Sequence, residues 1–295
     1  MSDNVRIAYH LGVTHTDNDQ LIWSLRADAK MLSTLGVQVP RPKLYRAAVE
    51  SVLADFRTGS PPPETQRELM AAITGRANPA RVLLSNSNFL AYPGFIFNGA
   101  ELYRKATRKA AQLRKLFPEN GCEFLISIRN LATFVPDVFS ASKHKDYRDF
   151  LQEADLPASR WSDVIARIQD ANPDVPITVW CNEDTPVLWP TVLRRAAGIG
   201  NETALTGDMN ILNKLISDEG KTRLQDYFLE RPDLSLSQRQ RVMEIFFEKF
   251  AQEDALEVEI DLPGWSHDFV AQLDENYERD VSEIERMDGV TMLLP

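Results

Sequence analysis

Along the first two thirds of the chain a short apolar run recurs four times, each followed by a turn and then by apolar residues at helical spacing. The first run, Arg6-Ile7-Ala8-Tyr9-His10-Leu11, ends at Gly12, and Leu21, Ile22, Leu25, Ala29 and Leu32 then mark one helical face up to Gly36. The others occupy residues 81–86, 124–128 and 176–181. Runs this short and this apolar suit strands buried on both faces, as in a parallel sheet. Helices are expected at 44–56, 64–74, 101–116, 161–171 and 186–197, the last closed by Gly198, with a helix-like stretch carrying Pro136 after Arg129-Asn130. Residues 37–42 read as a rigid extended connector, and 88–98 as an irregular aromatic loop of the kind that usually packs locally and sometimes lines a pocket.

Repeated strand-loop-helix units predict an α/β fold with a doubly wound parallel sheet. In such sheets ligands bind at the carboxyl ends of the strands, which here carry residues 14–19, 86–88, 129–130 and 182–184. From about Asn201 onward no strand is expected. Helices are predicted at 209–217, 221–229, 235–250 and 266–287, with Ser237 and Gln240 as a capping box and Ile245, Phe246, Phe247 and Phe250 packing on the sheet. Residues 253–261 hold much of the acidity. The run Pro61-Pro62-Pro63 is too short to separate independent domains. A single domain is therefore expected, with an α/β core over 1–200 and a helical extension over 201–295.

Composition narrows the class. At 295 residues, 43% hydrophobic and 26% charged, the chain has the make-up of a soluble globular protein. It has no apolar run of membrane-spanning length, and Met1-Ser2-Asp3-Asn4 lacks a basic and then apolar leader, so a cytoplasmic location is expected. Cys122 and Cys181 lie beside apolar runs and read as free, buried thiols. A net charge of -10 argues against broad binding to nucleic acid or anionic membranes. Arg104, Lys105, Arg108, Lys109, Arg114 and Lys115 still form a basic cluster, expected on one helix. The composition is as compatible with a homo-oligomer as with a monomer.

The chemistry concentrates in the first loop. A strand, a tight loop and a helix direct the helix's free N–H groups and positive end at the loop, the usual seat of a phosphate. This loop carries Asp17 and Asp19, of the opposite sign. Their ordinary role would be a side-chain cap and a first-turn acid. In a functional role they would hold a divalent cation, with Asp184 or Glu183 contributing. His10 reads as a core histidine, whereas His15 stands in the loop and could meet an anion when protonated. Arg129 follows an apolar strand at the ligand edge and needs a partner, either Asp137 or a bound anion.

Several stretches resemble the PAPS-dependent sulfotransferases of the P-loop superfamily. Tyr9-His10-Leu11-Gly12 with Thr16 is similar to that family's strand and 5′-phosphosulfate loop, and Ile128-Arg129-Asn130 through Phe139 to its 3′-phosphate motif. Thr178-Val179-Trp180 with Glu183, the helix to Gly198, and Leu262-Pro263-Gly264-Trp265 are similar to bacterial members. The resemblance implies a P-loop fold with a helical C-terminal third and sulfuryl transfer from PAPS to a hydroxyl or amine of a small molecule or glycan. It implies His15 as the catalytic candidate and Gly12, Thr14, Thr16, Asn18, Arg129 and Ser140 as cofactor contacts. The departures are as informative. His15 replaces the loop's lysine and Asp17 its glycine, Asn18 and Asp19 replace two hydroxyl residues, Asp137 replaces the serine partner of Arg129, and Ser87 between two asparagines replaces a catalytic carboxylate. Three functions follow as expectations: a sulfotransferase with a degenerate PAPS site, a binding or regulatory protein on the same scaffold, or a metal-assisted enzyme using the acidic loop.

Overall fold

The four expected strands form and lie parallel. A computed structural model describes residues 5–75, 77–252 and 262–295. Its strands are β1 (Arg6–His10), β2 (Val37–Gln38), β3 (Arg81–Ser85), β4 (Phe97–Asn98), β5 (Glu101–Leu102), β6 (Cys122–Ile128), β7 (Ile177–Cys181) and β8 (Val290–Leu293). The main sheet runs β2-β3-β1-β6-β7-β8, every neighbouring pair parallel, while β4 and β5 form a separate two-stranded antiparallel ladder.

The helices are α1 (Gln20–Ala27), α2 (Ala29–Thr34), α3 (Pro42–Asp55), α4 (Pro63–Thr74), α5 (Ala106–Leu116), α6 (Leu131–Ala141), α7 (Tyr147–Leu151), α8 (Trp161–Ala171), α9 (Thr185–Ala197), α10 (Leu212–Leu215), α11 (Asp218–Glu230), α12 (Leu236–Phe250) and α13 (His267–Ile284). The period of two along each strand sorts the core into layers. Ile7, Tyr9, Phe124, Ile126, Ile177 and Val179 pack with α3, α5, α8 and α13 on one face. Ala8, Leu83, Leu125 and Trp180 pack with α1 and α9 on the other. Burial on both faces is what the unbroken apolar runs required.

Several elements differ from the sequence expectation, each for a local reason. The C-terminal third does contribute a strand: β8 pairs with β7 from Ile177↔Val290 to Trp180↔Leu293. Its four residues follow a long helix and carry no distinctive pattern, so only the docking of the chain end reveals it. Val37–Gln38, expected as a connector, pairs with β3. The first helix is two helices, interrupted at Asp28, whose carboxylate accepts from the Thr206 N–H and hydroxyl, each at 2.7 Å. Glu101–Leu102 is strand rather than helix, which leaves Arg104 and Lys105 ahead of α5. The capping box is Ser235 with Gln238, two residues earlier than expected.

The phenylalanines of α12 do not reach the sheet. Phe246, Phe247 and Phe250 pack in a satellite cluster with Val187, Leu212, Leu224 and Met243, and Ile245 is 60% exposed. The acidic stretch 253–261 and Met1–Asn4 lie outside the described residues. Cys122 and Cys181 are free and buried, and burial pushes both thiols up to about 12. Among the described residues no helix is long and apolar enough to cross a membrane.

At the amino end of the sheet Arg81 of β3 pairs with Glu123 of β6 across β1, both side chains nearly enclosed. Arg81 also donates to the carbonyls of Ala196 (3.0 Å) and Arg195 (3.2 Å), which anchors the end of α9. Gly198 closes that helix at φ 65°, where a Cβ would stand 2.9 Å from the Arg81 side chain. Removing one member of a buried pair leaves the other charge uncompensated. Glu123→Ala should therefore lower the unfolding free energy by up to about 3–5 kcal/mol in urea denaturation, and the double change Glu123→Ala Arg81→Met should cost less than the sum of the two single changes, because neither charge is then stranded.

Candidate functional site

The loop after β1 is held in an unusual backbone conformation. Gly12 has φ 55°, and a Cβ there would come within 2.7 Å of the Ser87 Cα, so the loop lies directly on the segment that follows β3. His15 (φ 59°), Asn18 (φ 47°) and Asp19 (φ 65°) are also left-handed. Such residues persist only where neighbours hold them.

The holding groups are explicit. Thr16 donates its hydroxyl to the Val13 carbonyl at 2.7 Å. Buried Asp17 accepts the Leu21 N–H through Oδ2 at 2.9 Å, so its carboxylate satisfies a free N–H in the first turn of α1, the capping role expected of it. Asp19, expected as a first-turn acid, instead occupies the N-cap position and turns its carboxylate to Arg46 of α3, with contacts of 2.5 and 3.0 Å. Arg129 donates from Nη1 to the His15 carbonyl at 2.8 Å.

Arg46 belongs to a knot at the carboxyl end of β3. Its Nε donates to the Ser85 carbonyl at 2.9 Å, and the Tyr45 hydroxyl donates to the same oxygen at 2.6 Å while accepting the Ser85 N–H at 2.8 Å. The Ser85 hydroxyl lies 2.9 Å from His10 Nδ1, and the His10 ring stacks on Trp180. His10 is wholly buried, and its Nε2 has no partner among the described residues. Sequence reasoning missed Tyr45 and Arg46. The only available signal was the sign of the loop: acids that are not ligands need a cation, and α3 carries one on the helix leading out of β2.

On the far side, Arg129 pairs with Asp137 at 2.6 Å and reaches Thr133 Oγ1 at 3.1 Å. Asn130 caps α6, accepting the Ala132 N–H, and donates its side-chain amide to Asp274 at 2.8 Å. Glu183 accepts the Asn130 N–H and the Tyr277 hydroxyl, each at 2.9 Å, which ties the ends of β6 and β7 to α13. Burial, together with Glu183 and Glu244, raises the Asp184 carboxyl above its usual range.

The other residues singled out by sequence fall in different settings. Thr14 is buried, Asn18 is exposed, and Ser140 is exposed near the end of α6. Burial lowers the His15 imidazole below its ordinary value, outweighing Asp137, so the ring is neutral at neutral pH. Asp17 and Asp19 are engaged by different partners, and among the described residues no group of three or more His, Cys, Asp or Glu side chains is placed to hold a metal ion.

No protein-family model matches this chain, and no curated protein matches it. Among solved structures it is similar to a sulfotransferase from Alicyclobacillus acidocaldarius, at 12% identity and a TM-score of 0.40 over 85% of this chain and 98% of that one. A superposition that weak establishes neither family nor activity. What the sheet establishes is the class: a doubly wound α/β protein with its loops gathered on one edge.

Arg46→Ala should strip Asp19 of its partner and release the loop. Hydrogen bonds to charged groups contribute about 1.5–3 kcal/mol. The loss should lie near the lower end, since the side chains are 25% and 31% exposed. Urea denaturation reads the loss, and amide exchange at residues 17–21 should rise in the same variant.

The buried histidine sets a pH dependence. Burial is the main cause that lowers His10 below 6.5, against Asp17 and Asp19, which raise it. Between its folded pKa and 6.5 the unfolded chain binds more protons than the folded one, so stability falls as the pH drops through that window and is complete above it. The limiting slope is about 1.4 kcal/mol per pH unit. Melting followed from pH 7.5 to 5 should show this decline, and His10→Gln should flatten it. An unchanged slope in the variant would place the titration elsewhere.

Proposed function

We propose that this protein is a sulfotransferase-like P-loop scaffold whose phosphosulfate loop is closed by its own carboxylates, and that it acts by binding rather than by sulfuryl transfer from PAPS. The family part rests on the sequence resemblance at residues 9–16, 128–139, 178–198 and 262–265. The binding part rests on one observation. The N–H of Leu21, among those a phosphate would approach at the start of α1, is satisfied by Asp17, with Asp19 clamped beside it by Arg46.

The residues present do not fit PAPS. The loop's lysine is replaced by a histidine that is neutral at neutral pH. Arg129 is engaged by Asp137 and the His15 carbonyl, and Ser140, the remaining hydroxyl candidate, is exposed. An acid 4 Å from a phosphate oxygen opposes binding by about 4 kcal/mol at an effective dielectric of 20. Losing a charge-assisted contact removes about 1.5–3 kcal/mol more. Together these correspond to a loss of at least about a thousandfold, since each 1.4 kcal/mol is a factor of ten.

Titration calorimetry with adenosine 3′,5′-bisphosphate should therefore give no heat at micromolar concentrations. Asp17→Gly combined with His15→Lys should restore part of the affinity. Micromolar binding to the unmodified protein, retained in the Arg57→Ala Arg108→Ala variant, would overturn this reading and return transfer from PAPS to first place.

A further inference from the structure

Next to the first loop, on the other side of Ser87, lies a cleft of about 380 Å³ between the end of α3, the segment after β3 and the start of α5. Three cations line it, Arg57, Arg108 and Lys109, against a single carboxylate, Glu50. The arginines nearby in the fold are spoken for: Arg46 by Asp19, Arg129 by Asp137, Arg114 by Asp174. The three in the cleft have no hydrogen bond or ion pair from their side chains among the described residues, and Glu50 accepts instead from the Tyr92 hydroxyl at 2.9 Å. In a chain of net charge -10, three cations lining one cleft against the single carboxylate Glu50 leave an excess of positive charge that suits an anion.

We propose that this cleft binds a phosphate monoester with an apolar or aromatic body, its dianion held by Arg57, Arg108 and Lys109. Three cations against one carboxylate leave a net charge that matches such a dianion. The fold fixes the backbone from which these side chains reach. Gln112, buried on α5, donates its amide to the carbonyls of Leu53 and Arg57, which sets the spacing between Arg57 and the two cations of α5. Arg108 and Lys109 stand at the N-terminal end of α5, where the helix dipole adds to their field. Burial, Arg108 and Lys105 lower the Lys109 ammonium, and Glu50 offsets them only in part.

A second, independent feature lies in the wall. Asn86 is 4% exposed, and its Oδ1 accepts the Asn88 N–H at 3.0 Å, which leaves its Nδ2 donors with no protein acceptor among the described residues. That amide nitrogen keeps contact with solvent, so a ligand oxygen entering the cleft can take the place of water on it. Phe89 and Leu53 supply an apolar side for the body of the ligand. The site also stands where open α/β sheets place ligands, at the carboxyl end of β3. It does not depend on the state of the acidic loop.

The probe is phenyl phosphate, titrated calorimetrically into the full chain in buffer free of phosphate and sulfate, with phenol and inorganic phosphate as controls. Saturable binding of phenyl phosphate is expected, weaker binding of inorganic phosphate, and none of phenol. Arg57→Ala and Arg108→Ala, both at exposed positions where folding is not at stake, should each weaken phenyl phosphate by about tenfold or more. Lys109→Gln should do the same, while Asp17→Gly should not. Absence of phenyl phosphate binding at millimolar concentration would overturn the proposal. So would binding that the arginine variants leave unchanged, or binding no tighter than that of inorganic phosphate and abolished at about 0.15 M salt, which would be surface screening only. Adenosine 3′,5′-bisphosphate separates the two readings. Binding lost with Arg57 and Arg108 belongs to this cleft, and binding retained without them counts against the closed loop alone.

Discussion

The ion pair between Arg46 and Asp19 is the contact on which the ligand edge depends. It joins α3 to the first loop, and through the Arg46 and Tyr45 bonds to Ser85 it joins both to the end of β3. The loop has three non-glycine residues in the left-handed region, and each such residue costs about 1–3 kcal/mol that its surroundings must offset. Two are held by arginines from different elements, Asp19 by Arg46 and His15 by Arg129. A loop clamped from both flanks is pre-set in one shape, and that shape keeps Asp17 over the start of α1.

The physics is that of phosphate binding turned inward. Free N–H groups and a positive helix end attract an anion, and here the chain supplies one in Asp17, so an external anion would displace a bond already made. The cleft beside the segment after β3 carries the reverse arrangement, three cations with Glu50 as its one carboxylate. Two neighbouring sites of opposite sign thus share one sheet edge, separated by the close approach of Gly12 to Ser87. The C-terminal helix α13 closes the far end. Asp274 and Tyr277 bind Asn130 and Glu183, and the strand that follows α13 completes the sheet.

The strand-loop-helix order, the parallel pairing and the shared carboxyl edge were legible along the chain. Each rests on local periodicity and on a general rule of handedness and connection that needs no distant contact. The free, buried state of both cysteines was legible for the same reason, as was the capping by Asp17, a bond between residues four apart. The acidic sign of the loop could be read as an anomaly, although not resolved.

What resolves it comes from elsewhere in the chain. Arg46 meets Asp19 from 27 positions away, and of the two partners open to Arg129 it is Asp137 that meets it, because α6 turns back over the end of β6. The sixth strand, the break at Asp28 and the seat of the α12 phenylalanines depend on partners that no local pattern names: β7, Thr206 and α9. The unpaired state of Arg57, Arg108 and Lys109 likewise exists only in three dimensions, because a charge run along a helix does not say which cations find a carboxylate. Periodicity and turn chemistry act within a few residues and so settle the elements. Charge pairing and closure of the sheet are decided by distance in space, and there the folded structure alone assigns the partners.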